Sequence, residues 1–277
     1  MVDILKVILL GIVEGITEWL PVSSTGHILI FERFIGLYDT PDMTAFKNVF
    51  DYVIQLGAIL AVVVIYFKKL WPVNRSKSDD KLHWNRSKLM LWLKIIVACI
   101  PGAVAAFAIG KLIPDNPFLI AAMLIVYGIA FILVETFNKK EPDVISVKDI
   151  TFKLALFIGL FQVLAIVPGT SRSGVTIIGA MLIGLSRSAA AEFTFYLAIP
   201  VMLGQSLLKI ASYLKDGYSF TGSQIAAVIV GMAVSFVVSI FVIKFLMSFI
   251  KKHDFKPFGI YRIIVGIAII LIFALIK

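Results

Sequence analysis

The chain has 277 residues, of which 60% are hydrophobic and 16% charged; a soluble protein carries about 25% charged residues. Apolar runs of about 18 or more residues recur, the signature of membrane-spanning helices, so the chain reads as an all-α polytopic membrane protein. Its net charge of +9 comes from basic residues in loops beside apolar runs, which signals topology and attraction to anionic lipid. No nucleic-acid motif accompanies it. Cys99 is the single cysteine, which excludes an intrachain disulfide and a cysteine metal cage. The start Met-Val-Asp has no basic region and no small-residue cleavage site, so the first helix is expected to belong to the mature protein.

Val2–Leu20 has a helical pattern. Glu14 and Glu18 are four residues apart and share one face. Gly11 and Gly15 form a small strip that lets another helix approach closely. Pro21-Val22 breaks the helix, and Ser23 or Ser24 can cap a second short helix running to about Phe34. Glu32–Lys47 is polar and turn-rich. Asn48–Phe67 is an apolar run with Asp51 and Gln55 near its start, and Lys68–Lys88 is the most basic loop. Leu89–Gly110 and Pro117–Phe137 are further spans, and Asn138–Asp149 is a polar midpoint linker.

The pattern then returns. At an offset of 148 residues Gly11 falls on Gly159, Glu14 on Gln162, Ser23 on Ser171, Thr25 on Ser173 and Gly26 on Gly174; Pro21 matches Pro168 after a slip of one. Ala190–Ala211, Gln224–Met247 and Gly259–Ile276 follow as spans. A single membrane domain, 1–277, thus divides into a first repeat, 1–140, and a second, 148–277. Each is a broken helix followed by three spans. A re-entrant hairpin plus three spans places the second repeat upside down, an architecture in which paired interruptions meet at the midplane. Alternatively Val2–Leu20 simply spans, since about 19 residues reach ~28 Å. Under the re-entrant topology the loops around 68–88, 139–148 and 251–256, including Lys77 and Lys81, make one side basic and therefore cytoplasmic. Arg33, Lys47, Lys111, Lys215 and Lys277 lie opposite. The first break then opens to the outer face.

Two carboxylates, three consecutive hydroxyls and a histidine in Gly11–Ile30 are costly in lipid and mark a functional site. Irregular backbone at that depth survives only around a polar cavity. In the second break Arg172 stands among Thr170, Ser171, Ser173 and Gly174. A guanidinium with hydroxyls and glycine-freed N–H groups receives phosphate oxygens; it can equally pair with Glu14 or Glu18 and tie the halves together. Ser23, Ser24 and Thr25 are candidate nucleophiles, with one serine expected as a cap, and His27 a candidate acid or base. Glu14 and Glu18 could orient His27 or hold a hard divalent cation, but offer too few ligands for structural zinc. The set supplies what phosphoryl transfer needs. A transporter of lipid phosphate or anions is the rival, since broken helices and a charged midplane serve that function too.

Glu14-Gly-Ile-Thr-Glu18-Trp-Leu-Pro-Val-Ser-Ser-Thr-Gly-His27 and Pro168-Gly-Thr-Ser-Arg-Ser-Gly174 resemble the two signature regions of the bacterial undecaprenyl-diphosphate phosphatase, or bacitracin-resistance, family. Asp51–Ala61 and Phe193–Pro200 resemble it as well. The resemblance implies a hydrolase of the multi-pass bacterial cell membrane that removes the terminal phosphate of a C55 polyprenyl diphosphate, with a homodimer also allowed. It implies Glu14 and Glu18 as the acidic pair, Ser24 as nucleophile, His27 as proton-transfer residue and Arg172 as phosphate clamp. Ser23, Thr25, Gly26, Thr170, Ser171, Ser173 and Gly174 would line the phosphate. A divalent cation, Mg2+ or Ca2+, on Glu14 and Glu18 is implied too. His27 activating water directly, with Ser24 only binding, is the alternative mechanism.

Overall fold

The structure is a computed structural model that describes residues 3–35, 41–75, 82–114 and 116–275; Val2, Lys77, Lys81 and Lys277 lie outside them. Among the described residues the regular structure is helical apart from one short ribbon. In chain order they form α1 (Ile4–Thr17), α2 (Ser24–Ile35), α3 (Pro41–Val53), α4 (Gln55–Ile65) and α5 (Phe67–Leu70). The ribbon β1 (Val73–Arg75) and β2 (Leu82–Trp84) follows, then α6 (Arg86–Ile109) and α7 (Pro117–Phe137). The second half holds α8 (Phe152–Val163), α9 (Arg172–Leu182), α10 (Arg187–Lys215), α11 (Gly222–Phe249) and α12 (Lys256–Leu275).

Six helical stretches among the described residues are long and apolar enough to cross a membrane: Met43–Ile65, Arg86–Ile109, Pro117–Phe137, Arg187–Lys215, Gly222–Phe249 and Lys256–Leu275. The protein is a polytopic α-helical membrane protein. The two broken segments are different in kind. Helices α1 and α2 have 14 and 12 residues, and α8 and α9 have 12 and 11; each is shorter than the roughly 20 residues a span needs.

Two expectations need correction. Glu32–Lys47 is not turn-rich throughout: α2 continues to Ile35 and α3 begins at Pro41. Phe46, Val49, Phe50 and Val53 are all buried, and their 3–4 spacing packs one face of α3 inward, outweighing the Pro-Asp-Met-Thr start. The basic stretch 68–88 also contains regular structure, with α5 and an antiparallel pairing of Val73 with Trp84.

Helix ends follow their sequence. Asp3, Asn85, Asn116, Thr151 and Ser186 each cap a helix through a side-chain oxygen, and Thr221 and Gln224 form a reciprocal capping box. These satisfy N–H groups that a helix start leaves open. Packing between helices relies on close backbone approach. A Cβ on Gly11 would lie 2.9 Å from Gly231 O, and one on Gly15 would lie 2.9 Å from Ser235 O, so the small strip of α1 presses on α11. Likewise a Cβ on Gly159 of α8 would lie 2.4 Å from Ala98 O of α6. Helices α7 and α12 meet through Gly128 and Gly259, whose carbonyls each approach the other's Cα face.

Candidate functional site

The two helix breaks meet in the protein interior. In the first, α1 ends at Thr17, whose hydroxyl returns to Val13 O at 2.7 Å. Trp19 is fully buried edge-on to Phe195 of α10, which fixes the turn against the bundle. Ser23 has φ +73° and Ser171, in the second break, φ +70°. Left-handed backbone is costly for a residue with a Cβ and collects at functional sites. The first residue of each following helix, Ser24 or Arg172, reaches the carboxylate of Glu18 in the first break.

Glu18 joins them. Its Oε2 accepts from Ser24 Oγ at 3.0 Å and its Oε1 from Arg172 Nη2 at 2.7 Å; its backbone carbonyl accepts from Ser173 Oγ at 3.2 Å. The ion pair is buried, with side-chain exposures of 12% and 10%, so neither charge could stand there without the other. Arg172 Nη1 also donates to Thr194 O at 3.1 Å. Thr194 in turn donates to Thr176 Oγ1, which donates back to Arg172 O, leaving the guanidinium little freedom.

The remaining expected residues divide. Glu14 is fully buried, and neither of its carboxylate oxygens has a hydrogen-bond partner in the protein; it lies within electrostatic reach of Glu18, Asp51 and Arg172. The hydroxyls of Ser23 and Thr170 are also buried without a partner. Ser171 caps α9, its Oγ accepting from Gly174 N at 3.2 Å and sharing a bond with Ser173 Oγ at 3.2 Å. The Gly174 N–H is therefore committed to the cap. Gly26 and Gly174 are packing positions: a Cβ would lie 2.8 Å from Leu124 Cδ1 at the first and 3.1 Å from Arg262 Nη1 at the second. Thr25 is exposed.

His27 is not bonded to Ser24. Its Nδ1 lies 2.7 Å from Ser23 O and its Nε2 2.8 Å from Tyr261 Oη, with the two rings stacked at 5.5 Å. The carboxylate Glu18, rather than the imidazole, is the base in contact with Ser24. Gln162, the residue that matches Glu14 at the offset of 148, has its Oε1 buried without a partner.

Two site residues escaped the sequence reading, and both are on α12. Tyr261 holds His27. Arg262 is fully buried and donates to Pro21 O at 3.1 Å in the first break and to Gly169 O and Thr170 O at 3.0 and 2.9 Å in the second. One guanidinium thus ties the two breaks. The signal was available: a charged residue inside an apolar span is a functional pointer, and Arg262 is the charged residue within Gly259–Ile276 ahead of the final residues.

A divalent ion was expected on Glu14 and Glu18. Among the described residues no three His, Cys, Asp or Glu side chains form a metal-ligand group. Both Glu18 oxygens are engaged by Ser24 and Arg172, whereas the unengaged carboxylate of Glu14 suits a hard cation that takes its other ligands from substrate and water. The donors fit such an ion at Glu14 and not as a symmetric pair.

Fold and site together define a multi-pass membrane protein whose interior encloses a hydroxyl–carboxylate–guanidinium cluster between two interrupted helices. The family model described as bacitracin resistance protein BacA matches residues 7–268, and the chain belongs to that family. It is 56% identical over 269 residues to the undecaprenyl-diphosphatase of Lachnoclostridium phytofermentans, covering 96% of this chain and 95% of the relative. It is 54% identical to the undecaprenyl-diphosphatase of Enterococcus faecalis, covering 99% and 98%, and 47% identical to that of Acetivibrio thermocellus over the whole of both chains.

Proposed function

We propose that this chain is an integral membrane phosphatase that hydrolyses undecaprenyl diphosphate to undecaprenyl phosphate and phosphate. It thereby recycles the lipid carrier for peptidoglycan synthesis and confers bacitracin resistance. The observation that carries the chemistry is the contact of Ser24 Oγ with Glu18, itself paired to Arg172; the names of the relatives supply the lipid.

Ser24 Oγ attacks the terminal phosphorus while its proton passes to Glu18. The bond from phosphorus to the bridging oxygen breaks, and undecaprenyl phosphate leaves. Water then cleaves the phosphoserine and phosphate departs. Arg172, at the first turn of α9, turns part of its charge from Glu18 to the phosphate oxygens as Glu18 takes up the proton. The N-terminal ends of α2 and α9 favour the same anion. The unpartnered hydroxyls of Ser23 and Thr170 are donors for it. His27 manages the proton of the leaving group or the attacking water. Glu14 would hold Mg2+ or Ca2+, which supplies charge neutralisation at the phosphate.

The halves 1–140 and 148–277 are inverted repeats in this proposal. Helices α8 and α9 begin 148 residues after α1 and α2, and the two left-handed serines keep the same offset. Helix α1 packs on α11 while α8 packs on α6, the cross-pairing that exchange of two repeats requires. The membrane is the bacterial cell membrane, and the site opens to its outer face.

Phosphate release from a long-chain polyprenyl diphosphate in detergent tests the function. Wild-type turnover that collapses in Ser24→Ala, with a phosphoserine trapped at position 24 in the wild type, is the expected result. Well-folded protein that releases no phosphate with divalent metal supplied would move the function to lipid or anion transport.

A further inference from the structure

His27 is held from two directions. A carbonyl oxygen only accepts, so the 2.7 Å contact with Ser23 O places a proton on Nδ1. In the neutral ring Nε2 is then an acceptor, and the Tyr261 hydroxyl at 2.8 Å is its donor. The rings lie nearly parallel, 9° apart, so α12 fixes the plane of the imidazole as well as its tautomer. A charged group within electrostatic reach of the ring is Arg262, the next residue of α12. Tyr261 itself is 45% exposed and His27 is partly buried.

We propose that Tyr261 is a positioning residue of the phosphatase site: it holds His27 in the Nδ1–H tautomer with Nε2 as the nitrogen that exchanges a proton. Resting on the hydrolase function above, the proposal adds a residue in contact with neither Ser24 nor Glu18. Its geometry has a direct consequence. Both ring nitrogens are occupied in the resting protein, so His27 takes no proton from Ser24, and that transfer belongs to Glu18. When Nε2 gains a proton, the new N–H donates to a lone pair of the phenol oxygen, and the phenol keeps its own hydrogen, turned away from the ring. One N–H bond forms, and Tyr261 stays neutral. The hydroxyl therefore accompanies both protonation states of the ring without moving it. A second-sphere bond of this kind fixes tautomer and orientation in the way that a partner on the other ring nitrogen does elsewhere.

Tyr261→Phe keeps the ring stack and removes the bond. In the phosphate-release assay we expect kcat to fall about tenfold or more, with KM within about threefold of wild type, because orientation is lost while phosphate binding is kept. In a His27→Ala background the same substitution should add less than about twofold, since residues acting as a unit are not additive. Nitrogen-15 spectra of the labelled full chain in detergent should show the Nδ1–H tautomer in the wild type and a mixture of tautomers in Tyr261→Phe. Equal losses in the two backgrounds, or an unchanged tautomer spectrum, would overturn the proposal. The spectra also separate its failure from that of the enzyme function. Wild-type protein that releases no phosphate but shifts its tautomer on Tyr261→Phe keeps the positioning role and loses the phosphatase.

Discussion

The two helix breaks share a backbone and differ in chemistry. At the same offset each has a left-handed serine, Ser23 or Ser171, before a short helix. After it the first break places Ser24 and the second places Arg172, and both side chains end on the one carboxylate of Glu18. One turn earlier the first break carries the buried Glu14 where the second carries Gln162. The first therefore holds the hydroxyl and the negative charge, the second the positive charge. The two breaks together bring unlike groups to one point, which neither could assemble alone.

The largest effects should come from the three groups at that point. Ser24→Ala should lower phosphate release by at least about a thousandfold, since the proposed nucleophile is lost outright. Glu18→Gln should approach it, because the amide neither accepts the Ser24 proton nor balances Arg172. If Ser24→Ala kept near-normal turnover in a folded protein, the division of labour between the breaks would be wrong. Arg172→Lys keeps the charge but not the fork that reaches both Glu18 and Thr194 O, and we expect a loss of roughly 10- to 100-fold. Glu14→Gln tests the asymmetry with Gln162 directly. It should make the two breaks alike at this position and abolish the response of activity to chelator and added divalent ion. Activity that stays metal-dependent in Glu14→Gln would place the ion elsewhere.

Much of this was legible in the sequence. Carboxylates, hydroxyls and a histidine in an apolar setting announce themselves because lipid makes each expensive, and a proline with a nearby glycine marks a break. The offset of 148 residues was visible because the positions that set backbone geometry and close approach, Gly11 and Gly159, Ser23 and Ser171, recur in register. What stayed hidden was contact across distance. Nothing in the first break indicates that His27 faces Tyr261, which is 234 residues away, or that the carbonyls of Pro21, Gly169 and Thr170 converge on Arg262. The pairing of Ser24 with Glu18 instead of His27 was equally closed to view, because spacing on a broken helix does not give the direction of the chain after the break. The α3 helix was missed for a local reason: its polar start outweighed the Phe46-Val49-Phe50-Val53 stripe.

Packing supplies a milder comparison of the same two segments. Gly11 and Gly159 occupy matched positions, each against another helix's backbone. A Cβ would come within 2.9 Å of Gly231 O at the first and 2.4 Å of Ala98 O at the second. Backbone atoms cannot swing aside, so Gly159→Ala should be the more damaging, within the roughly 1–3 kcal/mol typical of overpacking. Thermal unfolding of the two variants in one detergent decides it; equal shifts would mean that α6 yields as easily as α11.

The smallest effect separates the two left-handed serines. Ser171 caps α9 through the Gly174 N–H, and removing a cap costs about 1 kcal/mol. Ser23 makes no such bond, and its buried hydroxyl lacks a protein partner. Alanine has the same Cβ as serine, so neither substitution changes the cost of the positive φ. Ser171→Ala should therefore lower the unfolding temperature slightly while leaving phosphate affinity near wild type. Ser23→Ala should leave the unfolding temperature unchanged or raise it, since an unpartnered buried hydroxyl is itself destabilising, and should instead raise KM if that hydroxyl donates to the substrate. Equal losses of stability would mean that Ser23 caps α2 as Ser171 caps α9, and the two breaks would then differ only in the side chains they aim at Glu18.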